Sequence, residues 1–103
     1  MTAIEPPPTW LLGRWRLAGA DPALDFAPGV VMEFREGGRL VYHIEAAGQR
    51  LAVDLVYSVR GDLLETDNPD APHRASARIL QGAADTLLLD FSGARANFVR
   101  ERR

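Results

Sequence analysis

From Leu11 onward, apolar and polar residues change places at almost every step. Leu11, Gly13, Trp15 and Leu17 fall on one side of the alternation and Arg14 and Arg16 on the other, the pattern of a strand with one buried face. Val30, Met32 and Phe34 then alternate with Val31, Glu33 and Arg35, and Leu40, Tyr42 and Ile44 with Val41, His43 and Glu45. The longest alternation runs from Leu51 to Val59, with Leu51, Val53, Leu55, Tyr57 and Val59 on one face and Ala52, Asp54, Val56 and Ser58 on the other. Shorter runs follow at 63–66, 73–80, 86–91 and 94–100, the last with Ala96, Phe98 and Arg100 on one face.

The breaks between these runs carry turn chemistry. Glu36-Gly37-Gly38-Arg39, with glycines able to take positive φ, Ala46-Ala47-Gly48-Gln49, Arg60-Gly61-Asp62, Gly82-Ala83-Ala84-Asp85 and Ser92-Gly93-Ala94 read as turns. Two connections are longer. The segment from Gly19 to Gly29 contains Pro22 and Pro28, and Asp21 is placed to cap a helical turn that starts at Pro22. Asp67-Asn68-Pro69-Asp70-Ala71-Pro72 is a loop by composition. Eight strands at regular spacing predict an all-β fold. A meander without a crossover closes most simply on itself, so an eight-stranded antiparallel up-and-down barrel is expected over 10–103 as a single domain. Pro6-Pro7-Pro8 makes residues 1–9 an extended Pro-rich tail.

Composition narrows the function classes. The chain has 103 residues, a net charge of -2 and 47% hydrophobic residues, ordinary values for one globular domain. A basic field for nucleic acid is lacking. All twelve basic residues are arginine, spread along the chain, which reads as genome bias. With no cysteine, disulfides, thiolate catalysis and cysteine-ligated zinc are excluded. The start lacks a basic stretch followed by an apolar one, and no apolar run is long enough for a membrane helix, so a cytoplasmic location is expected. The Arg60-Gly61-Asp62 tripeptide, an adhesion motif elsewhere, reads here as a hairpin turn.

Leu12-Gly13-Arg14-Trp15-Arg16-Leu17 resembles the first-strand signature of lipocalin-like proteins of the calycin group. The run Phe34-x-x-Gly37-Gly38-x-Leu40-x-Tyr42 and the close from Thr86 to Arg100 are similar to the small bacterial lipocalin-like domains. The resemblance implies a barrel in which Trp15 packs at the closed end with Arg100 across its ring. Gly13, Trp15 and Arg100 are then a structural clamp, and Pro8-Thr9-Trp10 plugs that end. It also implies that the loop between the first two strands, with Leu24 and Phe26, covers the open end. The chain lacks the length, C-terminal helix and disulfides of full lipocalins, which leaves the barrel without the secreted-transporter role.

The candidate site is the barrel interior. Met32, Phe34, Tyr42, Leu55, Tyr57, Phe91 and Phe98 line it if the apolar faces point inward. An eight-stranded barrel either fills with side chains or holds one small ligand. The expected function is non-catalytic binding of a small apolar or amphipathic molecule, with Tyr42 and Tyr57 as polar anchors. The alternatives are a calycin-type barrel cyclase or isomerase, which needs shape and one or two donors more than a triad, and a filled barrel acting as a homodimeric interaction module. For the last, Val31, Val41 and Val56 fall on outward positions of three consecutive strands. His43 is expected on a solvated face and His73 in a loop, and neither has the spaced partner a metal site needs. No cofactor, metal, nucleic-acid or membrane partner is expected.

Overall fold

The computed structural model describes residues 8–24, 26, 29–69, 74–82 and 85–101. Eight strands, Gly13–Ala20 (β1), Val31–Arg35 (β2), Arg39–Ala46 (β3), Gln49–Arg60 (β4), Leu63–Asp67 (β5), Ala75–Gly82 (β6), Thr86–Phe91 (β7) and Ala94–Arg100 (β8), follow one another around a closed barrel. Every neighbouring pair is antiparallel, and β1 closes on β8 through Trp15 opposite Arg100 and Leu17 opposite Phe98. Closure leaves no sheet edge along the body of the barrel.

The alternation is realised in the register. Trp15, Met32 and Tyr42 lie opposite one another across β1, β2 and β3, and Val53 of β4 continues the row. These are the inward positions. Trp15, Phe34, Phe98, Met32, Leu40, Leu87 and Leu89 are all at most 2% exposed and form one core. At about 25 cal/mol per Å² of apolar surface removed from water, that core is the main source of stability.

The turns follow the residues that permit them. Gly37 and Gly38 both take positive φ between β2 and β3, and Ala47 joins Gly48 in the left-handed region at the β3–β4 turn. At β7–β8, Ser92 and Gly93 do the same, and the Gly93 amide donates to Asp90 Oδ1 at 2.7 Å. Asp21 accepts the Ala23 amide at its side chain and the Leu24 amide at its carbonyl, so it does cap the turn Pro22–Leu24, which is 3₁₀.

Local differences from the alternation appear at the start. Leu11 is not in β1: Thr9–Leu11 is a 3₁₀ turn, and Leu11 is fully buried beneath the barrel end. Thr9 therefore belongs to this turn and not to an extended tail, while Pro8 is extended. The remainder of the Pro-rich tail lies outside the described residues. So does His73; β6 begins at Ala75.

Candidate functional site

The two ends of the barrel differ in how they are filled. At the closed end the Arg100 guanidinium stacks over Trp15, with Cζ 4.3 Å from the ring centroid. Its Nη1 donates to the Leu12 carbonyl at 3.0 Å and its Nη2 to the Trp10 carbonyl. The Trp15 indole N–H donates to the Leu11 carbonyl at 2.9 Å. One cation thus ties β8 to β1 and to the 3₁₀ turn beneath them. Gly13 makes room for it: φ is +121°, and a Cβ there would sit 2.7 Å from Arg100 Nη1.

The seven interior positions divide along the barrel axis. Met32, Phe34 and Phe98 are 1–2% exposed and belong to the packed core. Tyr42, Leu55 and Phe91 are half-buried and pack against its edge. Leu17, Leu24, Phe26 and Ile79 join them there. Leu17 was legible from its parity with Trp15. Phe26 had no periodicity to place it; its ring meets Phe91 and Phe98 edge-on, each at 5.9 Å. The β1–β2 loop therefore turns an aromatic ring into the open end.

The two tyrosines play different parts. Tyr57 packs edge-on against Phe34 at 5.0 Å, and its hydroxyl donates to the Arg35 carbonyl at 2.9 Å. That bond braces β4 against the β2–β3 turn, and burial pushes the phenol up to about 12. Its donor is committed, so Tyr57 is not the polar anchor expected from sequence. Tyr42 is also held above the usual phenol range by burial. Its hydroxyl makes no hydrogen bond to any described residue and is not sealed from solvent.

The outer wall carries charge. Glu33 on β2 accepts from His43 Nε2 at 2.8 Å and pairs with Arg35 at 3.2 Å, while Arg14 links it to Glu101. The Arg35 and His43 hydrogen bonds hold the Glu33 carboxyl below its ordinary value against a smaller opposing effect of burial. His43 is thus half-buried in an ion network, where a solvated face was expected. Val31 and Val41 lie opposite His43 and Glu33 in the register and are only 7% and 4% exposed. The exposure expected at these two valines is absent, because long charged side chains cover outward positions on adjacent strands. Val56, at 45%, is open.

A solvent-open hollow of about 570 Å³ lies on the wall of β4, β5 and β6, bordered by Val56, Ser58, Arg60, Glu65, Asp67 and Arg74 among others. It shares only Tyr57 with the seven interior positions. Its charges are already matched, Arg60 with Glu65 at 3.1 Å and Arg74 with Asp67 at 3.7 Å. Among the described residues the interior end is the better candidate, since it joins apolar walls to a donor that no described residue takes up. Among the described residues no cluster of three or more His, Asp or Glu could hold a metal ion, and no helix is long and apolar enough to cross a membrane.

No family model matches this chain, and no curated protein matches it. Among solved structures, it is similar to a lipocalin-like protein from Bacteroides uniformis at TM-score 0.78 and 15% identity, covering 89% of this chain and 99% of that one. It is also similar to an uncharacterized protein from Bacteroides eggerthii at TM-score 0.72 and 11% identity, covering 87% and 98%. At these identities the likeness is one of fold: the chain is a lipocalin-like barrel.

Proposed function

We propose that the open half of the barrel binds a small apolar or amphipathic molecule, with the Tyr42 hydroxyl as its polar anchor. The observation that carries this reading is the contrast between the two phenols. Tyr57 has its partner in Arg35, whereas Tyr42 offers an unpaired donor among apolar side chains. An amphipathic ligand with one acceptor, a carboxylate or carbonyl, satisfies that donor while its apolar part lies against Leu55, Phe91 and Leu17. The raised phenol range keeps Tyr42 neutral, and so a donor, across physiological pH. Phe26 closes this end from the connection between β1 and β2, packed against Phe91 and Phe98.

The test is a titration with a fluorescent fatty-acid analogue, then displacement by unlabelled fatty acids, alcohols and alkanes. Saturable binding is expected, with acids and alcohols preferred over alkanes. Tyr42→Phe should weaken the acid by roughly tenfold, the worth of one hydrogen bond to a charged group, and leave the alkane unchanged. Tyr57→Phe should leave both affinities alone. No saturable binding by any of these probes, or equal loss in both variants, sinks the proposal.

A further inference from the structure

The mouth of the barrel is built unevenly. On one side Phe26 lies against Phe91 and Phe98, so β7 and β8 are covered there. On the opposite side, half-way round the barrel from β7 and β8, stands the β3–β4 hairpin. In that hairpin Tyr42 pairs with Val53, and Ile44 with Leu51 one step nearer the turn. All four are inward positions of the alternation. On the side of Tyr42 away from the turn the inward face is sealed, since Leu40 and, across on β2, Met32 are at most 2% exposed. Toward the turn the apolar face continues into the open. Ile44 and Val53 are half-buried there, and Leu51 is 50% exposed.

A single exposed leucine needs no explanation, but Leu51 continues a strip that starts at Tyr42 and leads out of the barrel. We propose that this strip carries the hydrocarbon tail of the bound molecule, which enters polar head first and leaves its tail along Ile44 and Leu51. The inference rests on Tyr42 as the anchor, and adds the orientation of the ligand and its class: one unbranched chain with its polar group at one end.

Three observations support that orientation. The packed core stops a chain from continuing inward past Tyr42. Phe26 on Phe91 and Phe98 stops it from leaving across β7 and β8. Its first carbons therefore lie against Leu17, Leu55 and Phe91, and the rest continues along the hairpin. The strip is also narrow: directly opposed residues hold their Cβ atoms about 4.5–5.5 Å apart, so the Ile44–Leu51 pair offers a track for one chain and no platform for fused rings. Two residues of strand carry the tail about 7 Å from Tyr42 to this pair. Gln49, two residues further toward the turn, is polar and ends the strip. Leu51 is thus a residue that sets specificity for chain length.

Displacement of the fluorescent probe from the full chain by primary alcohols, hexanol to dodecanol, tests this. Alcohols are used because the inward neighbours of Tyr42 on its own and the adjacent strands, Met32, Leu40, Ile44 and Val53, carry no charge to meet a carboxylate. Each methylene laid against the strip should tighten binding by up to roughly fourfold. Leu51→Thr keeps a residue suited to a strand and should weaken dodecanol roughly fivefold while leaving hexanol within about twofold. Ala52→Thr, on the outer face, should change neither. Tyr42→Phe should weaken every alcohol by one common factor. A nitroxide at the methyl end of bound dodecanol should leave Trp10 and Trp15, both at the closed end, unquenched. Strong quenching means that the tail enters first and overturns the proposal. A Leu51→Thr loss that is absent, or equal for hexanol and dodecanol, overturns it as well; if Tyr42→Phe still weakens binding, the anchor stands without the outward tail. No displacement by any alcohol removes both.

Discussion

Replacing Arg100 removes at least three interactions from one point. A guanidinium over an indole contributes about 0.5–2 kcal/mol, and each of its hydrogen bonds to the Trp10 and Leu12 carbonyls about 1.5–3 kcal/mol. Both carbonyls belong to half-buried residues, so water recovers part of the loss. Arg100→Met is therefore expected to cost about 2–4 kcal/mol, and Arg100→Lys about 1–2 kcal/mol, because one ammonium does not reach two carbonyls while covering the ring. At about 4–8 °C per kcal/mol for a domain of this size, the Met variant should melt about 10–30 °C lower. Gly13 gives the argument a second arm. Gly13→Ala suffers from φ of +121° in any background, but the 2.7 Å contact with Nη1 exists only when Arg100 is present. Urea unfolding of wild type, both single variants and the pair closes a double-mutant cycle. The alanine should cost less in the Arg100→Met background, by about 0.5–3 kcal/mol. Additive effects, or an Arg100→Met variant within about 0.5 kcal/mol of wild type, would falsify the clamp as described.

Other consequences are equally concrete. Glu33 is held below its ordinary value, so its stabilising contribution is present above about pH 4.5 and lost as pH falls through the lowered value; Glu33→Gln should flatten the acid limb of a stability–pH curve, and an unchanged limb contradicts the network. Tyr57 stays neutral up to about 12 in the folded chain, so its contribution holds below about pH 10 and is lost as pH rises from there toward 12. A phenolate titration showing both tyrosines ionising near 10 without unfolding would refute this. Tyr57→Phe removes the bond to the carbonyl of Arg35, an exposed residue, and should lower stability by about 0.5–1.5 kcal/mol in urea melts. Val41→Asp places a charge at a 4% exposed position and should destabilise by more than about 2 kcal/mol, while Val56→Asp should stay within about 0.5 kcal/mol; equal costs would mean the charged cover over Val41 is not there.

What the residues determined alone was local. Strand positions, inward and outward faces and hairpin turns follow from a period of two and from glycine, and each needs only neighbours a few residues away. A meander of eight strands without a crossover extended this to closure of the barrel. The tertiary structure decided the rest, because each remaining question turns on groups far apart in the chain. Tyr42 and Tyr57 are equivalent in the alternation; only the placement of the Arg35 carbonyl commits one hydroxyl and leaves the other. Val31, Val41 and Val56 share one parity; only side chains from adjacent strands, Glu33 and His43 among them, cover two and spare the third. Among the described residues no strand pairs with the second side of Gln49–Leu55, because β5 meets β4 only over Val56–Arg60. Alternation records which way a side chain points, but not what meets it there.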